Sequence, residues 1–302
     1  MKKLLVTGAS GFLGWNVFKV QPSDWRLIGT WNKHEDGLWP RSENYQLDLR
    51  DKDAVWKCLK EINPDAVLHL AAFSDTNFCE ENPEKAKELN VDATATLAGM
   101  CADRHVHFLF TSSEQVFDGT KEAYQESDAP NPKNEYGRQK LEAEQLVQAI
   151  YPEASVVRIS VMYGLASAAR PGFLQKWLDA WQHFFPVKAF YDEYRSFLGG
   201  ASAARGLFHL LGQQASGIFH IGGDQGLSRY DLALLVKERF RLDHAPVEIC
   251  SQKDVSMPAF RPPRLVLDNS LIAGTGFQPM PLDQELDALV QEFKLPPPFS
   301  DN

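Results

Sequence analysis

The stretch "KLLVTGASGFLG", Lys3 to Gly14, sets a short apolar run against three evenly spaced glycines. The run has the length and composition of a buried strand. The segment after it, "LGWNVFKV", has helical spacing. A strand-to-helix junction built this way has a physical use. Gly8 permits a tight turn, Gly11 lets backbone approach a pyrophosphate, and Gly14 lets the helix pack closely on the strand. The helix start then offers unpaired N–H groups and a favourable dipole to an anion. Ser10, Phe12 and Leu13 lie between these glycines and belong to the same expected dinucleotide contact. A glycine-rich turn without a ligand is the alternative, and the strand before and helix after weigh against it.

Working outward, short apolar runs alternate with helical patterns. "WRLIGTW", "NYQLDL", "DAVLHLAA", "HFLFTSS" and "ASVVRIS" are expected strands. Between them "RDKDAVWKCLKEI", "PEKAKELNVDATATLAGMCADR" and a segment from about Tyr136 are expected helices. This alternation predicts an α/β fold, a doubly wound parallel sheet of the Rossmann type with right-handed crossovers. Residues 1–160 are expected to form the dinucleotide-binding domain. Residues 161–302 are expected to form a smaller substrate lobe, with segments returning to the sheet. In that second part "FLQKWLDAWQHFF" reads as an aromatic-rich helix, "GIFHIGG" as a late strand and "SRYDLALLVKERFRL" as a helix capped by Ser228. Trp177 and Trp181 have helical spacing and are expected in a core. Proline gathers in "MPAFRPPR" and "KLPPPFS".

The net charge of −9 argues against a nucleic-acid partner or an anionic membrane surface. No apolar run reaches the roughly 18 residues of a membrane span. Cys58, Cys79, Cys101 and Cys250 are too scattered for a metal knuckle, so reduced thiols in the cytoplasm and no metal are expected. A small molecule is the expected partner, and a homodimer is possible.

The second strand should offer an acid to the adenosine ribose of NAD. It ends instead in Thr30, Trp31 and Asn32, followed by Lys33. Lys33 could meet a 2′-phosphate or be a solvated loop residue; with no acid in place, NADP(H) is favoured and NAD(H) stays possible. Asp48, with Leu49 beside it, could face the adenine or cap the next helix. Ser74 and Asp75 follow the fourth strand, where ligands of doubly wound sheets bind.

Several motifs occur together and in order: the glycine loop, "LDLRD", "HLAA", "LNVDAT", "FTSSEQVFDGT", "YGRQK" and "VVRISVMYG". In this the chain resembles the extended short-chain dehydrogenases/reductases, most of all the dTDP-4-dehydrorhamnose reductase branch. "ENPEKAKELNVDATATLA" is equally similar to methionine adenosyltransferase β subunits. The resemblance implies a catalytic set of Ser113, Tyr136 and Lys140, with Asn90 supporting the lysine. Leu70, Ala71 and Ala72 would lie against the cofactor. Tyr136 would donate a proton to a carbonyl, with its pKa lowered by the Lys140 ammonium. Glu114 and Gln115 stand where the branch carries Asp and Tyr, next to the expected sugar site. Ala201 and Ser202 stand where acids are usual. Arg195 and Arg261 match positions used near the substrate; each suits a phosphate or a structural ion pair.

Three activities fit these residues. The first is reduction of a keto group on a nucleotide-sugar. The second is epimerisation or dehydration with tightly held NAD. The third is a cofactor-binding regulatory subunit without turnover.

Overall fold

The computed structural model describes residues 1–293. The run "KLPPPFS" begins at Lys294 and lies outside the described residues. The first half runs β1 (Lys2–Thr7), α1 (Phe12–Lys19), β2 (Trp25–Trp31), β3 (Glu43–Gln46), α2 (Lys52–Ile62), β4 (Ala66–His69), α3 (Thr76–Glu81), α4 (Pro83–Lys87), α5 (Thr94–Asp103), β5 (His107–Ser113), α6 (Glu135–Ile150) and β6 (Ser155–Ile159). The second half runs β7 (Met162–Tyr163), α7 (Phe173–Gln182), β8 (Val187–Phe190), β9 (Tyr194–Arg195), β10 (Leu198–Gly199), α8 (Gly200–Gln213), β11 (Gly217–Ile221), β12 (Leu227–Ser228), α9 (Arg229–Arg239), β13 (Val247–Cys250), β14 (Arg264–Leu265), α10 (Ser270–Gly274) and α11 (Leu282–Glu292).

A seven-stranded sheet in the order β11-β6-β5-β4-β1-β2-β3 organises the molecule. All its pairings are parallel. Alternation along each strand feeds two cores. Leu4, Val6, Leu68 and Leu109 join one apolar cluster with α1 and α8, through residues such as Val17 and Leu207. Leu5, Val67, Phe108 and Phe110 join another with α2, α5 and α6, through Leu59, Leu97 and Val147. A parallel sheet needs both faces covered in this way. β11 reaches this sheet from the second half. A third apolar cluster gathers α7, β8, α9 and α11 around Trp181, Leu232 and Leu286.

Strand order reverses between β1 and β4, and the backbones meet there. A Cβ on Gly8, whose φ is +72°, would lie 2.8 Å from the Ala71 backbone. Such a switch point, at the carboxyl ends of the strands, is where doubly wound sheets open a ligand crevice. The region expected as one helix over "PEKAKELNVDATATLAGMCADR" is α4, a π-helical turn over Glu88–Ala93, and α5. Four helices, α3, α8, α10 and α11, go beyond the expectation. α3 is capped by Asp75, and α8 begins at a Gly-Gly pair. Among the described residues no helix is long and apolar enough to cross a membrane.

Candidate functional site

A cavity of about 1130 Å³ opens at the switch point. Gly8, Ser10, Gly11, Phe12, Leu13 and Gly14 line it at the β1–α1 junction. Asn32, Lys33, Asp48 and Leu49 line it past β2 and β3, and Leu70, Ala71 and Ala72 past β4. Ser74, Ser113, Glu114, Gln115, Tyr136, Lys140, Arg195 and Arg261 complete the wall. Of the residues singled out above, Asn90 and Asp75 are not among its lining. Asp75 accepts from the backbone N–H of Asn77 and Phe78 and so starts α3.

The glycine loop has the features a dinucleotide requires. Gly11 is the N-cap of α1 and makes no side-chain capping bond, so the first turn keeps free N–H donors. A Cβ on Gly11 would meet only the Gly8 carbonyl, at 3.3 Å. A Cβ on Gly14 would lie 2.5 Å from that same oxygen. Gly11 thus keeps space for a ligand, whereas Gly14 keeps space for the fold. No acid stands at the end of β2. Asp48 is paired with Arg50 at 2.6 Å, and hydrogen bonding from that guanidinium holds its carboxyl down at about 2.

α6 brings Tyr136 and Lys140 to the opposite wall. Asn134 caps the helix by accepting from Gly137 N–H at 2.9 Å. Gly137 is required because a Cβ there would lie 2.1 Å from the Gln115 carbonyl oxygen. That contact seats the helix start against the turn after β5, where Ser113 accepts from Gln115 N–H at 3.2 Å. Lys140 is buried, donates to the Thr111 carbonyl at 2.8 Å, and lies 5.9 Å from the centre of the Tyr136 ring. Burial pushes its pKa down to about 8, against the pull of Glu144. Burial also raises the Tyr136 phenol above its usual value, with Ser113 acting the other way. Lys140 is not among the influences on the phenol, so the lowering expected from the ammonium is absent here. Desolvation of the phenolate is the largest effect on this group.

Asn90 sits on the π-helical turn. It accepts from Phe73 N–H at 2.8 Å and donates to the Phe73 carbonyl at 3.1 Å and to Gln139 at 2.9 Å. Its side chain makes no hydrogen bond to Lys140 among the described residues. His69 was not foreseen. It joins Thr7 at 2.7 Å to Thr94 at 2.9 Å, and Thr94 donates to the Asn90 carbonyl. Burial pushes this imidazole down to about 3, so it is neutral.

The substrate side is built on charges. Glu114 is buried, bonds to Ser160 and pairs with Arg195 at 3.1 Å. Arg195 lies 3.1 Å from Glu193, which pairs with Arg229 at 3.2 Å. Arg195 therefore takes the structural ion pair of its two expected roles. Arg261 pairs with no carboxylate among the described residues and donates to Asn77 Oδ1 at 3.1 Å. Asn134 also donates to Gln115 Oε1 and to the Phe260 carbonyl, each at 2.9 Å. Trp177 reaches the cavity, while Trp181 is fully buried and donates to the Pro246 carbonyl. The buried hydroxyl of Ser112, also on the wall, has no hydrogen-bond partner among the described residues. Arg50, Arg170 and Arg229 line the cavity without having been expected there. No spacing in the sequence marks a basic residue that arrives from a distant loop.

The chain is 31% identical over 293 residues to a probable low-salt glycan biosynthesis reductase of Haloferax volcanii, covering 95% of this chain and 97% of that protein. It is 31% identical over 290 residues to methionine adenosyltransferase 2 subunit beta of Bos taurus, covering 91% and 83%. The solved structure of a dTDP-4-dehydrorhamnose reductase from Clostridium acetobutylicum superposes with a TM-score of 0.85 at 26% identity, over 97% of this chain and 100% of that one. The family model for the RmlD substrate binding domain matches residues 1–295. A Rossmann sheet, a glycine loop and a Ser–Tyr–Lys wall around one cavity agree with that match, and the chain belongs to the RmlD substrate binding domain family.

Proposed function

We propose that the protein is an NADPH-dependent reductase of a keto group on a nucleotide-sugar or a similar carbonyl compound. The observation that carries this reading is the meeting of Ser113, Tyr136 and Lys140 with the glycine loop around one cavity. The glycine loop, Leu70 to Ala72 and Lys140 would hold the cofactor. A bound nicotinamide dinucleotide supplies the hydride. Tyr136 donates its proton to the carbonyl oxygen, a task suited to a phenol that burial keeps protonated. Ser113 donates a hydrogen bond to the same oxygen as charge develops. Lys140, fixed by the Thr111 carbonyl beside the ring, stabilises the phenolate that is left once the proton has been given up. Arg261 has no ion-pair partner among the described residues and gives the substrate end a positive charge for a phosphate. Arg195 is held by Glu114 and Glu193 and serves the wall.

The test is NADPH oxidation with a panel of dTDP- and UDP-linked 4-keto sugars. Wild type should turn over at least one of them. Tyr136→Phe should cut turnover by a factor on the order of 10²–10⁴ with cofactor binding intact. Unchanged turnover in Tyr136→Phe would remove Tyr136 from the chemistry. A protein that purifies with NAD and exchanges none would favour epimerisation or dehydration. The similarity to a methionine adenosyltransferase subunit supports a second reading, a cofactor-binding subunit of another enzyme. Binding of NADPH without oxidation, together with a stable complex with a methionine adenosyltransferase, would favour it.

A further inference from the structure

Arg170 reaches the cavity from the far side of the chain. The segment after β7 crosses in front of α1, where the Leu165 carbonyl accepts from Asn16 Nδ2 at 2.9 Å. At its end Gly172 packs so closely that a Cβ would lie 2.8 Å from the Phe12 ring. Between these anchors Arg170 N–H donates to the Ser167 carbonyl at 3.0 Å, which turns the chain back toward the glycine loop. A Cβ on Gly37 would lie 2.4 Å from the Ser10 carbonyl oxygen and 3.2 Å from Arg170 Cγ. The stem of Arg170, the glycine loop and the turn after β2 therefore meet at one point. Ser10, Lys33, His34 and Arg170 all line the cavity there. Glu35 and Asp36 of the same turn are exposed and not among its lining.

Some cations of the wall are paired with carboxylates and others, Arg261 among them, are not. Arg50 is paired with Asp48 and Glu88, and Arg195 and Arg229 with buried carboxylates. Neither Lys33 nor Arg170 has an ion-pair partner among the described residues. Two cations without an ion-pair partner thus line the cavity near the end of the second strand, where an adenosine ribose meets a Rossmann sheet. A phosphate on that ribose carries close to two negative charges, and a guanidinium can bind it with two parallel N–H groups.

We propose that Arg170 and Lys33 form a cradle for a 2′-phosphate, with Arg170 the residue that selects the phosphorylated dinucleotide. This rests on the dinucleotide reading given above and extends it to a residue of the second half. Titration calorimetry would compare wild type, Arg170→Ala, Arg170→Lys and Lys33→Ala. The probes are adenosine 2′,5′-bisphosphate against AMP, and NADPH against NADH. Arg170→Ala should weaken the bisphosphate and NADPH by about tenfold, the scale of one charge-assisted hydrogen bond. AMP and NADH should bind to it as they do to wild type, and Arg170→Lys should recover part of the loss. Equal loss for all probes would place Arg170 on the pyrophosphate or the glycine loop and overturn the proposal. So would no loss, or a wild type that does not distinguish the phosphorylated probes. In those cases the dinucleotide reading stands. If wild type binds none of the four, both fall.

Discussion

Glu114 carries a carboxyl into the back of the cavity, where it meets Ser160 and Arg195. Burial raises its pKa from 4.5 to about 7, against the pull of Arg195. Between those values the folded chain keeps a proton that the unfolded chain has released. The contribution of this group to stability therefore falls as pH rises from 4.5 to about 7 and is level above. Glu114→Gln cannot titrate, and it leaves Arg195 with Glu193 as its remaining carboxylate, so it should melt below wild type at neutral pH. On top of that offset, its melting temperature relative to wild type should climb across the same window. A difference that stays flat would show that Glu114 is ionised throughout and that Arg195 outweighs burial. Tyr136 and Lys140 are legible in the sequence because one turn of helix places them on one face and neighbouring motifs support them. The pairing of Arg195 with Glu114 is not, because no local pattern ties a strand-end arginine to a glutamate in the turn after a distant strand.

The start of α6 joins three parts of the site through Asn134. Its carbonyl oxygen caps Gly137, and its amide donates to Gln115 and to the Phe260 carbonyl next to Arg261. Asn134→Asp keeps an acceptor for the cap and suits the positive helix end. It loses both donations and sets a carboxylate against two oxygens. Asn134→Ala loses the cap as well, at a further cost of about 1 kcal/mol. Both variants should speed amide hydrogen exchange in the loop over 257–262, while NADPH affinity stays near wild type. If exchange in that loop is unchanged in Asn134→Asp, the amide does not hold it. The strands of the large sheet are legible because alternating residues feed two cores. α8 is hidden by its opening "GGASAARG", whose small residues carry no apolar period; its leucines come later. α3 is too short to show a period at all. The π-helical turn at Asn90 is invisible because its neighbours on both sides are ordinary helix formers.

At the scale of the molecule, β11 extends the parallel sheet and α8 covers the face that α1 begins to cover, so the second half helps build the floor under the glycine loop. A ligand held by that loop should stabilise the whole fold by linkage, by about 2.7 kcal/mol at a hundred times its Kd. Two glycines separate ligand from fold. Gly11 has a φ of −83° that any residue accepts, and a Cβ there would meet only the Gly8 carbonyl, at 3.3 Å. Gly14 would press a Cβ to 2.5 Å from that oxygen and 2.6 Å from the Ala9 carbonyl. Gly11→Val should therefore melt close to wild type without ligand and lose the rise in melting temperature with NADPH. Gly14→Val should melt well below wild type before any ligand is added. Thermal denaturation of both variants, with and without NADPH, decides it. A Gly11→Val protein that keeps the full NADPH shift would mean that the cofactor's phosphates do not pass over this loop. A Gly11→Val protein as unstable as Gly14→Val would mean that the loop was shaped by packing rather than for a ligand.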